Sequence, residues 1–79
     1  MSLKVLYVED NMMNMRLVRK MLTNTDYKLI EAWDGRAGVE TAIREKPDVI
    51  LMDVNLPGIS GYEATQILKQ HKDTGHIPI

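Results

Sequence analysis

The chain has 79 residues, with 10 lysine and arginine residues against 11 aspartate and glutamate residues, for a net charge of −1. This length permits one small domain, and the near-neutral charge without a Lys/Arg cluster argues against a nucleic-acid surface as the main function. No apolar run approaches the ~20 residues that a bilayer span requires, and there are no cysteines for disulfides or thiol chemistry. We therefore expect a soluble, cytoplasmic domain that contacts neither nucleic acid nor membrane directly.

The pattern of polar and apolar residues predicts strands and helices in alternation. Residues 5–8 and 49–52 are short apolar runs that end in carboxylates, and they read as buried parallel strands, because only strands covered on both faces lose the polar alternation. Capping residues precede the helical stretches: Asp10 or Asn11, then Asp34, then Ser60 with Glu63 as a capping box. In chain order we predict a strand at Lys4–Val8, a helix over residues 12–23, a strand at Lys28–Ala32, a helix over residues 34–46, a strand over residues 48–53, a helix over residues 60–70, and entry into a fourth strand at residues 76–79.

The order of these elements predicts the architecture. Alternating strands and helices that begin with a strand form a parallel sheet with helices on its faces. Right-handed crossovers place strand one between strands two and three, which is the 2-1-3 flavodoxin-like order. We therefore expect an α/β doubly wound domain over residues 1–79, in which strands one and three flank the crevice where such sheets bind ligands.

Three carboxylates are expected to meet in that crevice. Glu9 and Asp10 follow strand one, and Asp53 ends strand three. At an effective dielectric constant near 20, each close pair of such charges repels by roughly 4 kcal/mol. A hard divalent cation such as Mg²⁺, which prefers oxygen ligands, would offset that repulsion. The sequence therefore predicts a magnesium site at this edge of the sheet.

Three sequence blocks resemble those of response-regulator receiver domains of bacterial two-component signalling. The blocks are residues 8–11 (VEDN), residues 51–53 (LMD) and residues 55–61 (NLPGISG), in the order and spacing of that family. The resemblance covers nearly the whole chain and is to receivers that stand alone or belong to hybrid sensor kinases. It implies the flavodoxin-like (CheY-like) fold, with strand order 2-1-3-4-5 when complete.

The resemblance also implies roles for the acidic residues. Asp53 would be the phosphoacceptor, and its carboxylate would attack the phosphorus of a phosphohistidine to form an acyl phosphate. Asp10 and Asp53 would bind Mg²⁺ directly, Glu9 would act through a coordinated water, and Asn55 would contribute its backbone carbonyl. The implied partner is a histidine kinase or a histidine phosphotransferase, and the chain would be a signalling switch rather than an enzyme.

The family pattern also contains residues that this sequence does not reach. Receivers use a Ser or Thr at the end of strand four and a Lys at the end of strand five, and neither position occurs before Ile79. We expect a longer receiver, of which about 40 residues are missing here. With one helix, residues 11–23, over one face of the sheet, the uncovered side of strands one and three should expose Val and Leu side chains. Small domains bury only about 60% of their unfolded surface, so we expect the isolated chain to be unstable, or to bury this face by self-association or strand exchange.

Other roles for these residues stay open from the sequence. Asp53 also suits a capping role at a strand end, Glu9 and Asp10 suit a solvated turn before helix one, and Asn14 suits the helix surface better than a ligand position. Two functions compete with the switch. An aspartyl-phosphate phosphatase needs a second Asp two residues after the nucleophile, where this chain has Asn55. A pseudo-receiver would keep the fold and bind partners without phosphorylation.

Overall fold

A three-stranded parallel sheet forms the centre of the computed structural model, which describes residues 3–79; the first two residues of the predicted domain lie outside the described part. The strands are β1 (Lys4–Val8), β2 (Lys28–Ala32) and β3 (Val49–Met52). Their order is β2-β1-β3 with all pairs parallel, which confirms the predicted 2-1-3 arrangement. In this register Tyr7 of the central strand lies between Glu31 of β2 and Leu51 of β3.

Strand β3 is shorter than predicted, and the segment predicted to begin a fourth strand beside it does not form one. The strand omits Asp48 and Asp53, so it is two residues shorter than the predicted span 48–53. Residues 76–79, the predicted start of a fourth strand, do not form a strand in the structure. The Ile50 N–H nevertheless donates to the Pro78 carbonyl oxygen at 2.9 Å. The segment therefore lies along the edge of β3 and makes one hydrogen bond to it.

Three helices connect and follow the strands: α1 (Met12–Leu22), α2 (Gly35–Glu45) and α3 (Gly61–Gln70). Each begins at a predicted capping residue, whose side-chain oxygen accepts a hydrogen bond from the N–H three residues later. These capping residues are Asn11 (3.0 Å), Asp34 (2.8 Å) and Ser60 (3.1 Å). None of the helices in the described part of the chain has both the length and the apolar character needed to cross a bilayer.

One face of the sheet carries the main hydrophobic core. Leu6, Val8 and Ile50 point to this face and are at most 1% exposed. They form one cluster with side chains from α2, α3 and the C-terminal segment, including Ala42, Leu68 and Ile77. Gly38 of α2 lets that helix approach closely, because a Cβ there would lie 2.7 Å from a methyl group of Val8.

The opposite face, on the side of α1, is covered less completely. Met15 of α1 is fully buried, and Arg19 of the same helix pairs with Glu31 of β2. The prediction that β1 exposes valine here is wrong, because Val5 is only 6% exposed. It lies on the central strand, between Leu29 of β2 and Val49 of β3. For β3 the prediction is confirmed, since Leu51 of this edge strand is 42% exposed. We call this side of the sheet the α1 face.

Candidate metal centre

Glu9, Asp10 and Asp53 lie together at the carboxyl edge of the sheet. Backbone hydrogen bonds continue the sheet beyond the strand ends: the Glu9 N–H donates to the Ala32 carbonyl and the Asp53 N–H donates to the Val8 carbonyl, each at 3.0 Å. The main chain of both acids is thus held by a neighbouring strand. Oxygen atoms of the three carboxylates all lie within 4.8 Å of one another. The structure therefore brings together the three acids that the sequence predicted to meet.

The backbone of Asp53 is also in close contact with the start of α3. A Cβ atom added at Gly61 would lie 1.9 Å from the Asp53 carbonyl oxygen, which only glycine can avoid. The Gly61 N–H donates to the Val54 carbonyl oxygen at 2.9 Å. The first residue of α3 is therefore docked directly on the chain that carries Asp53.

Asn55 lies two residues beyond Asp53 in an exposed loop. Its backbone N–H donates to Oδ1 of Asp53 at 3.4 Å. The same loop turns at Gly58, whose φ of 76° lies in the left-handed region that favours glycine. Asn55 is thus linked to the acidic cluster through its main chain.

Glu9 is buried, with 4% of its surface exposed, and both of its carboxylate oxygens accept hydrogen bonds. Oε1 accepts from the Tyr7 hydroxyl at 2.8 Å and from the side-chain amide of Asn14 at 3.3 Å. Oε2 accepts from the backbone N–H of Asn11 at 3.3 Å. Three donors from β1, the following turn and α1 therefore hold this carboxylate.

None of these three donors was predicted as a site residue, and Asn11 was predicted only as a possible helix cap. Tyr7 precedes Glu9 by two positions, and residues two apart on a strand share a face, so the period of β1 places both side chains on one side of the sheet without showing that they interact. Asn14 was expected on the helix surface, and it is exposed there, but its amide points back to Glu9. Its place in the first turn of α1 brings it close to the turn that carries the acids.

The cluster holds its charge unevenly. Burial is the largest influence on Glu9 and acts to raise its pKa, but hydrogen bonds, from Tyr7 foremost and then from Asn11, Asp53 and Asn14, together bring it below its ordinary value. Burial raises the pKa of Asp53, and the hydrogen bond and charge of Glu9 raise it further. The pKa values of these two neighbouring carboxyls therefore move in opposite directions.

Tyr7 remains a hydrogen-bond donor throughout the neutral pH range. Burial, followed by the hydrogen bond to Glu9 and the charges of Glu9 and Asp53, raises the pKa of Tyr7 to about 12. The hydroxyl therefore keeps its proton at neutral pH and donates it to Oε1 of Glu9.

The donor set fits Mg²⁺. This ion binds oxygen ligands at about 2.1 Å and keeps several waters, so it needs only one or two protein carboxylates. Two oxygens on one such ion lie at most about 4.2 Å apart, which is close to the 4.8 Å limit of the cluster. Asp10 is exposed and Asp53 is half-buried, so both are accessible, whereas the oxygens of Glu9 already accept three hydrogen bonds. Direct binding by Asp10 and Asp53, with Glu9 acting through water, suits this arrangement.

Comparison with known proteins agrees with the fold. The family profile described as "Response regulator receiver domain" matches residues 5–79. The polar-differentiation response regulator DivK of Brucella ovis is 39% identical over 79 residues, which is 100% of this chain and 64% of DivK. DivK of Brucella anthropi matches to the same extent. The chain therefore spans just under two thirds of the length of these curated relatives.

Solved structures give the same result. The receiver domain of the sensor histidine kinase PA1611 from Pseudomonas aeruginosa, solved with a magnesium ion coordinated in its active site cleft, is 34% identical with a TM-score of 0.94, and the match covers 100% of this chain and 65% of that one. The chemotaxis response regulator CheY4 of Vibrio cholerae is 30% identical, also with a TM-score of 0.94, and the match covers 100% and 66% of the two chains. Sequence profile, strand order and overall structure thus agree, and this chain belongs to the response regulator receiver domain family.

Proposed function

We propose that this chain is a cytoplasmic, Mg²⁺-dependent phosphoacceptor of two-component signalling, with Asp53 as the residue that accepts the phosphoryl group. The donor would be the phosphohistidine of a histidine kinase or histidine phosphotransferase. The observation that carries the proposal is the meeting of three carboxylates within 4.8 Å at the carboxyl edge of a receiver-family sheet. In this role the chain receives a phosphoryl group and changes its partner binding, and it is not an enzyme with its own turnover.

Four residues have roles in holding the cation. Asp10, Asp53 and the backbone carbonyl of Asn55 would bind Mg²⁺, and Glu9 would bind it through water. When bound, the ion neutralises negative charge on the acceptor carboxylate and on the phosphoryl oxygens. The raised pKa of Asp53 makes this charge compensation important, because only the deprotonated carboxylate is a nucleophile.

The transfer is a single displacement at phosphorus. An oxygen of the Asp53 carboxylate forms a bond to phosphorus while the bond from phosphorus to the donor's imidazole nitrogen breaks. The nitrogen keeps the electron pair of the broken bond, and the product on this chain is an acyl phosphate. The side chain of Asp53 is half-buried at the carboxyl edge of the sheet, where a donor side chain can reach it.

A small-molecule phosphodonor tests the proposal. Intact-protein mass spectrometry should show addition of one phosphoryl group in the presence of Mg²⁺ and none with excess EDTA. Asp53→Asn should abolish the addition. Asp26→Asn is the matched control, because Asp26 is exposed and precedes the amino end of β2, at the far edge of the sheet; it should be labelled like the wild type.

The competing functions give different results in the same assay. Multiple turnover of a phosphate ester would indicate a phosphatase, but Asn55 stands where that class needs its acid/base Asp. Absence of labelling in the wild type with Mg²⁺ would overturn the proposal and favour a receiver-like binding module.

We also propose that the isolated chain covers its α1 face by self-association or strand exchange. Leu51 is 42% exposed on this face, and burial of such apolar surface against a second copy of the chain removes it from water, which is favourable. Analytical ultracentrifugation should show a molecular mass that rises with concentration, and Leu51→Glu should reduce that rise. A monomer at all concentrations would contradict this part of the proposal.

A further inference from the structure

We propose that Tyr7 is a positioning residue for divalent-cation binding: its hydroxyl, together with the Asn14 amide, holds the Glu9 carboxylate in place beside Asp10 and Asp53. The inference rests on the proposed function, since it concerns the cation that the acidic cluster binds. It adds two residues of this chain to the site that the acidic motif alone does not contain.

The hydrogen bonds around Glu9 define the orientation of its carboxylate. Oε1 accepts from Tyr7 at 2.8 Å and from Asn14 at 3.3 Å, while Oε2 accepts from the N–H of Asn11 at 3.3 Å. The last torsion of a glutamate side chain is otherwise broad and poorly defined. Donors on both oxygens remove that freedom, because rotation of the carboxylate would break at least one of these bonds.

Tyr7 is well placed to hold Glu9 because its own position is constrained. It lies on the central strand, paired with Glu31 on one side and Leu51 on the other. Only two side-chain torsions separate its ring from this backbone, so little conformational freedom remains in the hydroxyl position. The hydrogen bond from the Tyr7 hydroxyl is also the shortest of the three that Glu9 accepts from these donors.

The two other tyrosines of the chain provide matched controls. Tyr27 is 47% exposed and Tyr62 is 75% exposed. Within residues 3–79, neither hydroxyl makes a hydrogen bond comparable to that of Tyr7 with Glu9. Removing either hydroxyl therefore makes the same chemical change as Tyr7→Phe without touching the acidic cluster.

Residues that orient metal ligands from outside the coordination sphere typically change metal affinity about 10- to 100-fold when they are replaced. Tyr7 acts on Glu9, which itself binds through water in the proposed site. We therefore expect a loss at the lower end of that range, about tenfold, from Tyr7→Phe. Asn14→Ala removes the longer of the two contacts to Oε1, so its loss should be smaller.

The test is a calorimetric titration of the full 79-residue chain with MgCl₂ at constant ionic strength. The series consists of the wild type, Tyr7→Phe, Tyr27→Phe, Tyr62→Phe and Asn14→Ala. We expect about tenfold weaker binding for Tyr7→Phe and wild-type affinity for the two control tyrosine variants. The urea midpoint of each variant in EDTA, measured in parallel, reports any purely structural effect of the substitution.

The outcomes separate this inference from the proposed function. If the wild type does not bind Mg²⁺, both fail. If the wild type binds and Tyr7→Phe binds equally well or more tightly, the positioning role is overturned while the proposed function stands. If Tyr7→Phe also loses stability in EDTA, Asn14→Ala decides, because Asn14 is exposed on α1: weaker binding supports the inference, and unchanged binding overturns it.

Discussion

The two faces of the sheet differ in how completely they are covered, and two adjacent residues of β3 show the difference. Ile50 is 1% exposed in a cluster with Leu68 of α3 and Ile77, whereas Leu51 is 42% exposed on the α1 face. Both belong to the same apolar run, so their hydrophobicity does not distinguish them. An apolar run thus predicts a strand that is buried on both faces. Whether each face is in fact buried depends on the helices and segments that pack against it.

Alanine substitutions at these two positions test the comparison most strongly. Ile50→Ala should lower the free energy of unfolding by about 2–5 kcal/mol, because it leaves a cavity in a closed core. Leu51→Ala should cost less than about 1 kcal/mol, since much of its side chain already contacts water. Urea denaturation followed by circular dichroism measures both. At a protein concentration where the chain is monomeric, equal losses would mean that Leu51 is buried within the single chain.

The next largest effect is expected where the covered face meets the carboxyl edge. Gly61→Ala should cost about 3 kcal/mol through overpacking, because the new Cβ collides with the Asp53 carbonyl. Gly58→Ala is the control: a Cβ there meets no atom within 4 Å, so only its left-handed φ opposes the change, at about 1 kcal/mol. Similar losses in the two urea titrations would show that α3 is not docked on Asp53.

Removal of one negative charge from the acidic cluster is expected to increase the free energy of unfolding. Asp53→Asn should raise the free energy of unfolding at pH 7 in EDTA by about 1 kcal/mol after solvent screening, because it removes a like charge beside Glu9. Folding raises the pKa of Asp53 above its ordinary value of 3.8. The stability that its protonated form supplies is therefore present below that value and is lost as pH rises through the raised pKa.

The pH profile checks this sign. The variant and the wild type should be equally stable in acid, and the advantage of the variant should grow as pH rises toward neutral. A wild type that stays as stable as the variant at pH 7 would show that the carboxylates do not repel one another in the folded chain.

The smallest effect is expected from the ion pair that connects α1 to β2. A hydrogen bond from Arg19 is the main cause that lowers the pKa of Glu31 below its ordinary value of 4.5. The pair therefore stabilises the fold above that value, and the contribution is lost as pH falls through the lowered pKa. Glu31→Gln should lower the urea midpoint at pH 7, by less than Asp53→Asn raises it. It should leave the midpoint in strong acid unchanged. A shift that persists in acid would point to packing rather than charge.

Most of the fold could be predicted because local signals agreed with one another. The apolar runs ending at Val8 and Met52, and the caps at Asn11, Asp34 and Ser60, mark element boundaries within one or two residues. The order of those elements, with right-handed crossovers, leaves few topologies. The convergence of Glu9, Asp10 and Asp53 follows from that order, because all three follow strands that are neighbours in the sheet.

What could not be predicted depends on contacts between distant parts of the chain. The burial of Val5 depends on its place in the central strand, and residues 76–79 make one bond to β3 without completing a strand. The roles of Tyr7 and Asn14 depend on the side-chain conformation of Glu9, which the spacing of residue types does not specify. Patterns in the sequence thus locate backbone elements well, but they do not identify which polar side chains interact.

Asn11 has two roles, one through its side chain and one through its backbone. Its side chain caps α1, and its backbone N–H holds Oε2 of Glu9. Serine or aspartate at this position would retain both the capping oxygen and the amide, alanine would retain only the amide, and proline would remove both. Fewer residue types should therefore be accepted at position 11 than at an ordinary helix start. A shift in the residue at which α1 begins would also displace the Glu9 carboxylate, which the Asn11 N–H holds.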